Sequence, residues 1–287
     1  MHLRNLIAAA ALGAVASAGA DPGRAETPLE RGTYLMRSIV ACGNCHTLKG
    51  PDFKALTDQE LAGGFVIEAP VFRAVGSNIT PDPETGIGAW TDEQIIDAIR
   101  NGKRPDGTII GPPMPIAFYR GMSDTDVRAI VAYLRSVKPI RNKVEKSTYN
   151  IPLPPSYGPP VIHVADPPAG DRLAYGHYLA GALGHCLDCH TPLLPTGESD
   201  MTRLGAGGSE LPGPGNTVVT SSNLTPGNPR GIAGWTDAQV KMTIRTGHRP
   251  DGSPLVGPMA CDWYRNISDA DLDRLVAYLR TLKPVTD

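Results

Sequence analysis

The chain has 287 residues, a length that suits one large domain or two small ones. Lys and Arg total 27 against 29 Asp and Glu, a formal net charge of −2, which gives no basic excess for nucleic acid. A hydrophobic share of 41% excludes a polytopic membrane protein and wholesale disorder, and an aromatic share of only 6% leaves two cores short of large side chains.

Residues 1–20 read as a secretory signal peptide. Arg4 leads, Leu6 to Val15 is apolar, and Ala16-Ser17-Ala18 or Ala18-Gly19-Ala20 suits cleavage. The run is shorter than the ~20 residues a membrane span needs. The mature chain is therefore expected in the periplasm, soluble or peripheral to the membrane. From Glu30 to Ala41 a helix is predicted to run into Cys42. Thr91 with Gln94 signals a capping box, and that helix should end at Gly102. Ser123 with Asp126 starts another, whose Val127, Ile130, Val131 and Leu134 share one face, and Lys138-Pro139 closes it. Seven prolines between Pro152 and Pro168 mark an extended, semi-rigid linker over 141–169. The same signals then recur: a helix over Asp171–Gly184, Thr236 with Gln239, Gly247, Ser268 with Asp271, and Lys283-Pro284. Pro192 to Gly215 reads as a surface loop, and no stretch shows convincing strand alternation.

The recurrence is a duplication. Ser77-Asn78-Ile79-Thr80-Pro81 matches Ser222-Asn223-Leu224-Thr225-Pro226 at an offset of 145, as do Arg104-Pro105-Asp106-Gly107 and Arg249-Pro250-Asp251-Gly252. Residues 27–140 and 170–287 thus read as two copies of one all-α domain, short helices wrapped in long loops.

Four of the five cysteines fall in one pattern, Cys42-Gly43-Asn44-Cys45-His46 and Cys186-Leu187-Asp188-Cys189-His190. C-x-x-C-H is the attachment pattern of a c-type haem. Two thiols reach the two vinyl groups and the next His supplies an axial ligand. Zinc is the rival for four cysteines, but the pairs lie 144 residues apart without a second His set. A redox C-x-x-C would need a βαβ context, and disulfides would not call for His after each pair. Each copy is thus expected to hold one covalently bound haem c, whose bulk would fill the thin core.

Met114 and Met259 lie in register beside prolines, as candidate second axial ligands at each iron. Met36, Met122, Met201 and Met242 have no counterpart and read as core filler. Cys261 replaces Ile116 and reads as a small buried thiol, the sharper alternative being a thiolate ligand. His163, His177, His185 and His248 are unrepeated and read as satisfied or solvent-facing. Trp90, Trp235, Asn78 and Asn223 are repeated, for packing and turns or for hydrogen bonds to a haem propionate or loop carbonyl.

With these motifs in view, the chain resembles cytochrome c class I domains in tandem. More narrowly, it is similar to the cytochrome c subunits of periplasmic alcohol, gluconate and related dehydrogenases. Those subunits commonly carry three haems and a C-terminal membrane-attachment segment; here there are two motifs and no such segment. The resemblance implies a dihaem electron carrier without catalysis of its own. It would receive electrons from a periplasmic dehydrogenase and pass them to a cytochrome, a quinone-linked complex or an oxidase. A dihaem redox enzyme, thiosulfate dehydrogenase-like or peroxidase-like, is the alternative; it would need one displaceable or unusual ligand.

Overall fold

The computed structural model describes residues 25–51, 53–168, 170–213 and 217–286, so the signal-peptide segment lies outside the described residues. In the first half, α1 (Pro28–Arg37) leads into α2 (Gly43–His46). A hairpin of β1 (Val66–Ala69) and β2 (Phe72–Val75) follows, then α3 (Asp92–Asn101), α4 (Ile116–Tyr119) and α5 (Asp124–Ser136). After β3 (Thr148–Tyr149) the series begins again. The second half has α6 (Arg172–Tyr178), a π-helical turn over Leu179–Leu183, α7 (Cys186–Cys189), β4 (Glu210–Pro212) and β5 (Val218–Thr220). It ends with α8 (Asp237–Thr246), α9 (Cys261–Tyr264) and α10 (Asp269–Leu279). Among the described residues no helix is long and apolar enough to cross a membrane.

Local chemistry sets the helix starts. Thr27 with Glu30, Thr91 with Gln94 and Thr236 with Gln239 form complete capping boxes. Ser123 and Ser268 accept the backbone N–H of Asp126 and Asp271. Gly102 and Gly247 close α3 and α8 in the left-handed conformation. The first helix stops at Arg37 rather than Ala41, because the chain leaves it at Ser38 to bury Ile39 and Val40 just ahead of Cys42.

Two crossings organise the core. α1 packs on α5, and α6 packs on α10. At each crossing a glycine meets bare backbone. A Cβ on Gly32 would lie 2.0 Å from the Ala129 carbonyl oxygen, and one on Gly176 would lie 2.2 Å from that of Arg274. Leu35, Val127, Ile130 and Leu134 on one side, and Leu179, Leu272, Leu275 and Val276 on the other, belong to one continuous buried cluster. Met36 and Met122 sit inside it, whereas Met201 and Met242 are at the surface, against the core reading.

The small sheets are the main departure from the expected helix-and-loop domain. β1, β2 and β3 form an antiparallel sheet in that order, and β4, inside the stretch expected as loop, pairs antiparallel with β5 just beyond it. Strands of two to four residues are too short for a period-2 pattern to register.

The halves also exchange contacts reciprocally. The Tyr34 hydroxyl donates to Asp271 Oδ2 (2.6 Å) and accepts the Ser268 N–H (3.2 Å). The Tyr178 hydroxyl donates to Asp126 Oδ2 (2.7 Å) and accepts the Ser123 N–H (3.0 Å). Residue and counterpart swap roles, as across a two-fold interface.

Candidate haem-binding sites

Cys42, Cys45 and His46 lie on and just before the single turn of α2, and Cys186, Cys189 and His190 on and beside α7. Positions i, i+3 and i+4 share one helical face, so both thiols and the imidazole of each motif leave the turn together. All five cysteines are free thiols. Burial pushes Cys42 up to about 12, with Cys45 adding to it. It likewise pushes Cys186 to about 11 and Cys189 to about 12, and raises Cys45. These are neutral thiols at neutral pH. Among the described residues no three or more His, Cys, Asp or Glu side chains gather as an ion site, so the zinc alternative has no geometric support.

Each histidine is fixed by the same device. His46 Nδ1 lies 2.8 Å from the Ser77 carbonyl oxygen, and His190 Nδ1 lies 2.7 Å from that of Ser222. Nδ1–H is thereby assigned as the donor, which leaves the Nε2 lone pair for a metal. Burial lowers both histidines below their usual range, the serine carbonyl opposing it, so the imidazoles are neutral. The backbone of each histidine is held in turn. Gly63 and Gly207 donate N–H to His46 O and His190 O, 2.8 Å in each case, and have φ of +78° and +71°. A Cβ there would lie 2.6 Å from Ser77 C and 2.5 Å from Ser222 C.

Asn78 Oδ1 accepts Thr80 N–H (3.0 Å) and its Nδ2 donates to Ile140 O (2.8 Å). Asn223 does the same with Thr225 and Val285. For the asparagines the structure shows both the turn, through Thr80 and Thr225, and the bond to a loop carbonyl, through Ile140 and Val285. Trp90 and Trp235 pack on the core and offer their carbonyls to Arg135 and Arg280.

Met114 and Met259 sit in equivalent loops just before α4 and α9, each accepting a turn hydrogen bond from the residue two further on. Met114 is half-buried against the core, while Met259 is 36% exposed. The structure gathers each cysteine pair with its histidine on one turn and puts each methionine on a separate loop. Tyr119 at the end of α4 and Tyr264 at the end of α9 are buried, and burial followed by the thiols of their own half pushes both hydroxyls well up.

The two motifs also lie close together. The segments just ahead of them touch, since a Cβ on Gly184 would lie 3.1 Å from Ile39 Cγ1. Asn44, inside the first motif, donates Nδ2 to the Pro258 carbonyl (3.0 Å), next to Met259, and a Cβ on Gly43 would touch the Trp263 ring at 3.0 Å. His185 stacks edge-on against Tyr119 of the other half at 5.7 Å, and burial lowers it to about 4. Cys261 is half-buried; burial, then Asp262, push its thiol up to about 11. His248 is exposed, as expected, and bonds Thr246 O within its own loop (2.9 Å).

Neutral thiols in pairs, each beside a neutral imidazole with Nε2 left open, are the donor set that a thioether-bound, histidine-ligated haem requires. A helical fold built around such turns defines a cytochrome c-type protein. Residues 27–134 match the family model described as cytochrome c oxidase, cbb3-type, subunit III. The chain is 32% identical over 286 residues to the cytochrome c subunit of alcohol dehydrogenase (quinone) from Gluconobacter oxydans, covering 91% of this chain and 56% of that one. It is 32% identical over 284 residues to the gluconate 2-dehydrogenase cytochrome c subunit of Pantoea cypripedii, covering 92% and 61%. Against a diheme cytochrome c-type protein of Cereibacter sphaeroides it is 30% identical over 258 residues, covering 85% and 82%. The chain belongs to the cytochrome c family. It spans little more than half the length of the dehydrogenase subunits it matches.

Proposed function

We propose that the chain is a periplasmic dihaem cytochrome c that carries electrons and transforms no substrate. It would consist of two class I domains, 27–140 and 170–287, joined by 141–169. Cys42 and Cys45 would hold one haem c, with His46 and Met114 as axial ligands; Cys186 and Cys189 would hold the other, with His190 and Met259. The observation that carries this reading is the repeated His–Ser carbonyl pair, which aims a neutral Nε2 from the same turn as two thiols.

Haem c, when bound, supplies one-electron exchange at iron. The protein's part is to hold ligands still. The serine carbonyls fix ring orientation, and a buried neutral imidazole keeps its lone pair without competition from a proton. The contacts between the halves beside the two motifs, Asn44 with Pro258 and His185 with Tyr119, support exchange between two neighbouring centres. The named functions of the relatives support a dehydrogenase as donor; a cytochrome, quinone-linked complex or oxidase downstream would be the acceptor.

The test is export with haem loading, followed by mass and pyridine haemochrome measurement. Two haems per chain are expected, lost one at a time with Cys42→Ala/Cys45→Ala and Cys186→Ala/Cys189→Ala. Met114→Ala and Met259→Ala should each remove the methionine charge-transfer band of one haem only. If neither substitution alters the near-infrared spectrum, the ligand assignment is wrong. The exposure of Met259 favours a second reading, a displaceable ligand on one haem as in a dihaem enzyme. Cyanide binding to the oxidised protein at stoichiometric concentration would support it.

A further inference from the structure

The loop that follows each cysteine motif is built alike in the two halves. Lys49 bridges Ala55 and Leu193 bridges Ser199, and the N–H groups of Gly50 and Leu194 donate to Lys54 O and Glu198 O. Lys49 and Leu193 therefore occupy equivalent positions, 144 residues apart like the motifs themselves. Their surroundings differ. Lys49 Nζ donates to Asn44 Oδ1 inside the first motif (2.9 Å) and stands 4.5 Å from the centre of the Phe65 ring. In the second half Leu193 is 55% exposed, and Asp188 stands at the place of Asn44. Ser209 stands at the place of Phe65 and turns its hydroxyl to Thr191 O (2.6 Å).

An ammonium held at two points, on an amide oxygen and over a ring, is more than a solvated surface charge. Asn44 is neutral, so its hydrogen bond places the charge without cancelling it. Lys49 is half-buried, where the dielectric is lower than in bulk water and salt screens a charge less. Burial lowers Lys49 from its usual value. Asp262 of the other half opposes that shift and is itself paired with Arg265 (2.5 Å). An oxidised haem carries one more positive charge than a reduced one. A fixed cation beside it disfavours the oxidised form and raises its reduction potential. In the second half the equivalent position holds Leu193, and the residues that seat the cation are replaced with it.

Resting on the two haem sites proposed above, we propose that Lys49 holds the first haem at the higher reduction potential, so that a lone electron on the chain passes from the second haem to the first and rests there. The step is a one-electron exchange. The second iron goes from ferrous to ferric and the first from ferric to ferrous, and no bond or proton moves. Asn44 and Phe65 act as positioning residues, because they fix where the ammonium sits.

The test is a spectroelectrochemical titration of the haem-loaded full chain at neutral pH, after pyridine haemochrome measurement has counted its haems. A count below two overturns the haem sites themselves, and this proposal with them. With both haems bound, two separate waves are expected. Lys49→Gln and Lys49→Met should lower only the higher wave. They should shift the electron equilibrium about ten-fold toward the second haem, which a one-electron titration reads as a fall of ~59 mV. Lys49→Arg keeps the charge and should leave the higher wave in place. Leu193→Gln, at the exposed counterpart, should move neither wave. Circular dichroism and the haem count check each variant, and Lys49→Met keeps apolar packing on Phe65 in case Lys49→Gln folds poorly. The proposal alone is overturned, with both haems present, if the parent shows one unsplit wave or if the neutral variants move the lower wave or none. It is equally overturned if Lys49→Arg moves the higher wave as far as they do, as a purely structural role would require.

Discussion

Asn44 donates its side-chain N–H to the carbonyl of Pro258, 3.0 Å away, so a residue inside the first cysteine motif steadies the loop that carries Met259. The Asn44 Oδ1 is itself held by Lys49 Nζ (2.9 Å). The position equivalent to Asn44 in the second motif is Asp188, which as a carboxylate has no donor to offer the opposite loop. The tie is therefore one-sided. With Met114 and Met259 as the proposed axial ligands, Asn44→Ala is expected to disturb the methionine charge-transfer band of the second proposed haem and leave that of the first in place. Near-infrared spectra of the oxidised variant read both.

The reciprocal tyrosines hold the halves together. Tyr34→Phe and Tyr178→Phe should each cost about 1–3 kcal/mol, since each removes the donor to a buried Asp. Urea unfolding of the haem-loaded chain measures the loss. The pH dependence has a definite sign. Burial, then the bond to Asp271, push Tyr34 from its usual 10.0 up to about 12. The protonated hydroxyl makes the contact, so its stabilisation is complete below pH 10 and is lost as pH rises toward 12. Tyr34→Phe should flatten that alkaline limb.

The two helix crossings leave no room for a methyl group. Gly32→Ala and Gly176→Ala each place a carbon about 2 Å from a carbonyl oxygen, which forces α1 off α5 or α6 off α10. Overpacking of this kind typically costs ~1–3 kcal/mol, and the rigid backbone partner puts these sites at the upper end. Thermal unfolding of both variants is expected to show lower midpoints, with spectra of the remaining folded protein unchanged.

Arg100 is 1% exposed and pairs with Asp124 (2.6 Å), while its counterpart Arg245 is 32% exposed and pairs with Asp269, itself 83% exposed. Asp124→Asn would leave a buried guanidinium without its counter-ion, at a cost of about 3 kcal/mol. Asp269→Asn should cost no more than about 0.5 kcal/mol. Against burial, the hydrogen bonds from His163 and Arg100 bring Asp124 down to about 2 from 3.8. Its contribution is present above pH 3.8 and fades as pH falls toward 2. Acid titration of both variants against the parent separates the two pairs.

What the sequence makes legible here is what depends on neighbours along the chain. Thr91, Ser123 and Gly102 act on residues two to five positions away, so their roles can be read directly. The cysteine motifs are legible for the same reason, because one helical turn gathers them. The carbonyls of Ser77 and Ser222 are not, because any residue carries a carbonyl; the only signal was the repeated Ser-Asn-x-Thr-Pro stretch around them. α4 and α9 span four residues each, too few for a 3.6-residue period to show. Tyr34 and Tyr178 carry no signal of their role, because each partner lies in the other half, 234 or more positions away for Tyr34, where no local pattern reaches.

The exchange of Tyr34 and Tyr178 has a consequence for assembly. Contacts of this isologous kind would depend on dilution if the halves were separate molecules. Carried on one polypeptide, each half meets the other at an effective concentration in the millimolar range for a short tether. A pairing too weak for two free proteins can then persist at any expression level, and the two copies are free to diverge without losing each other.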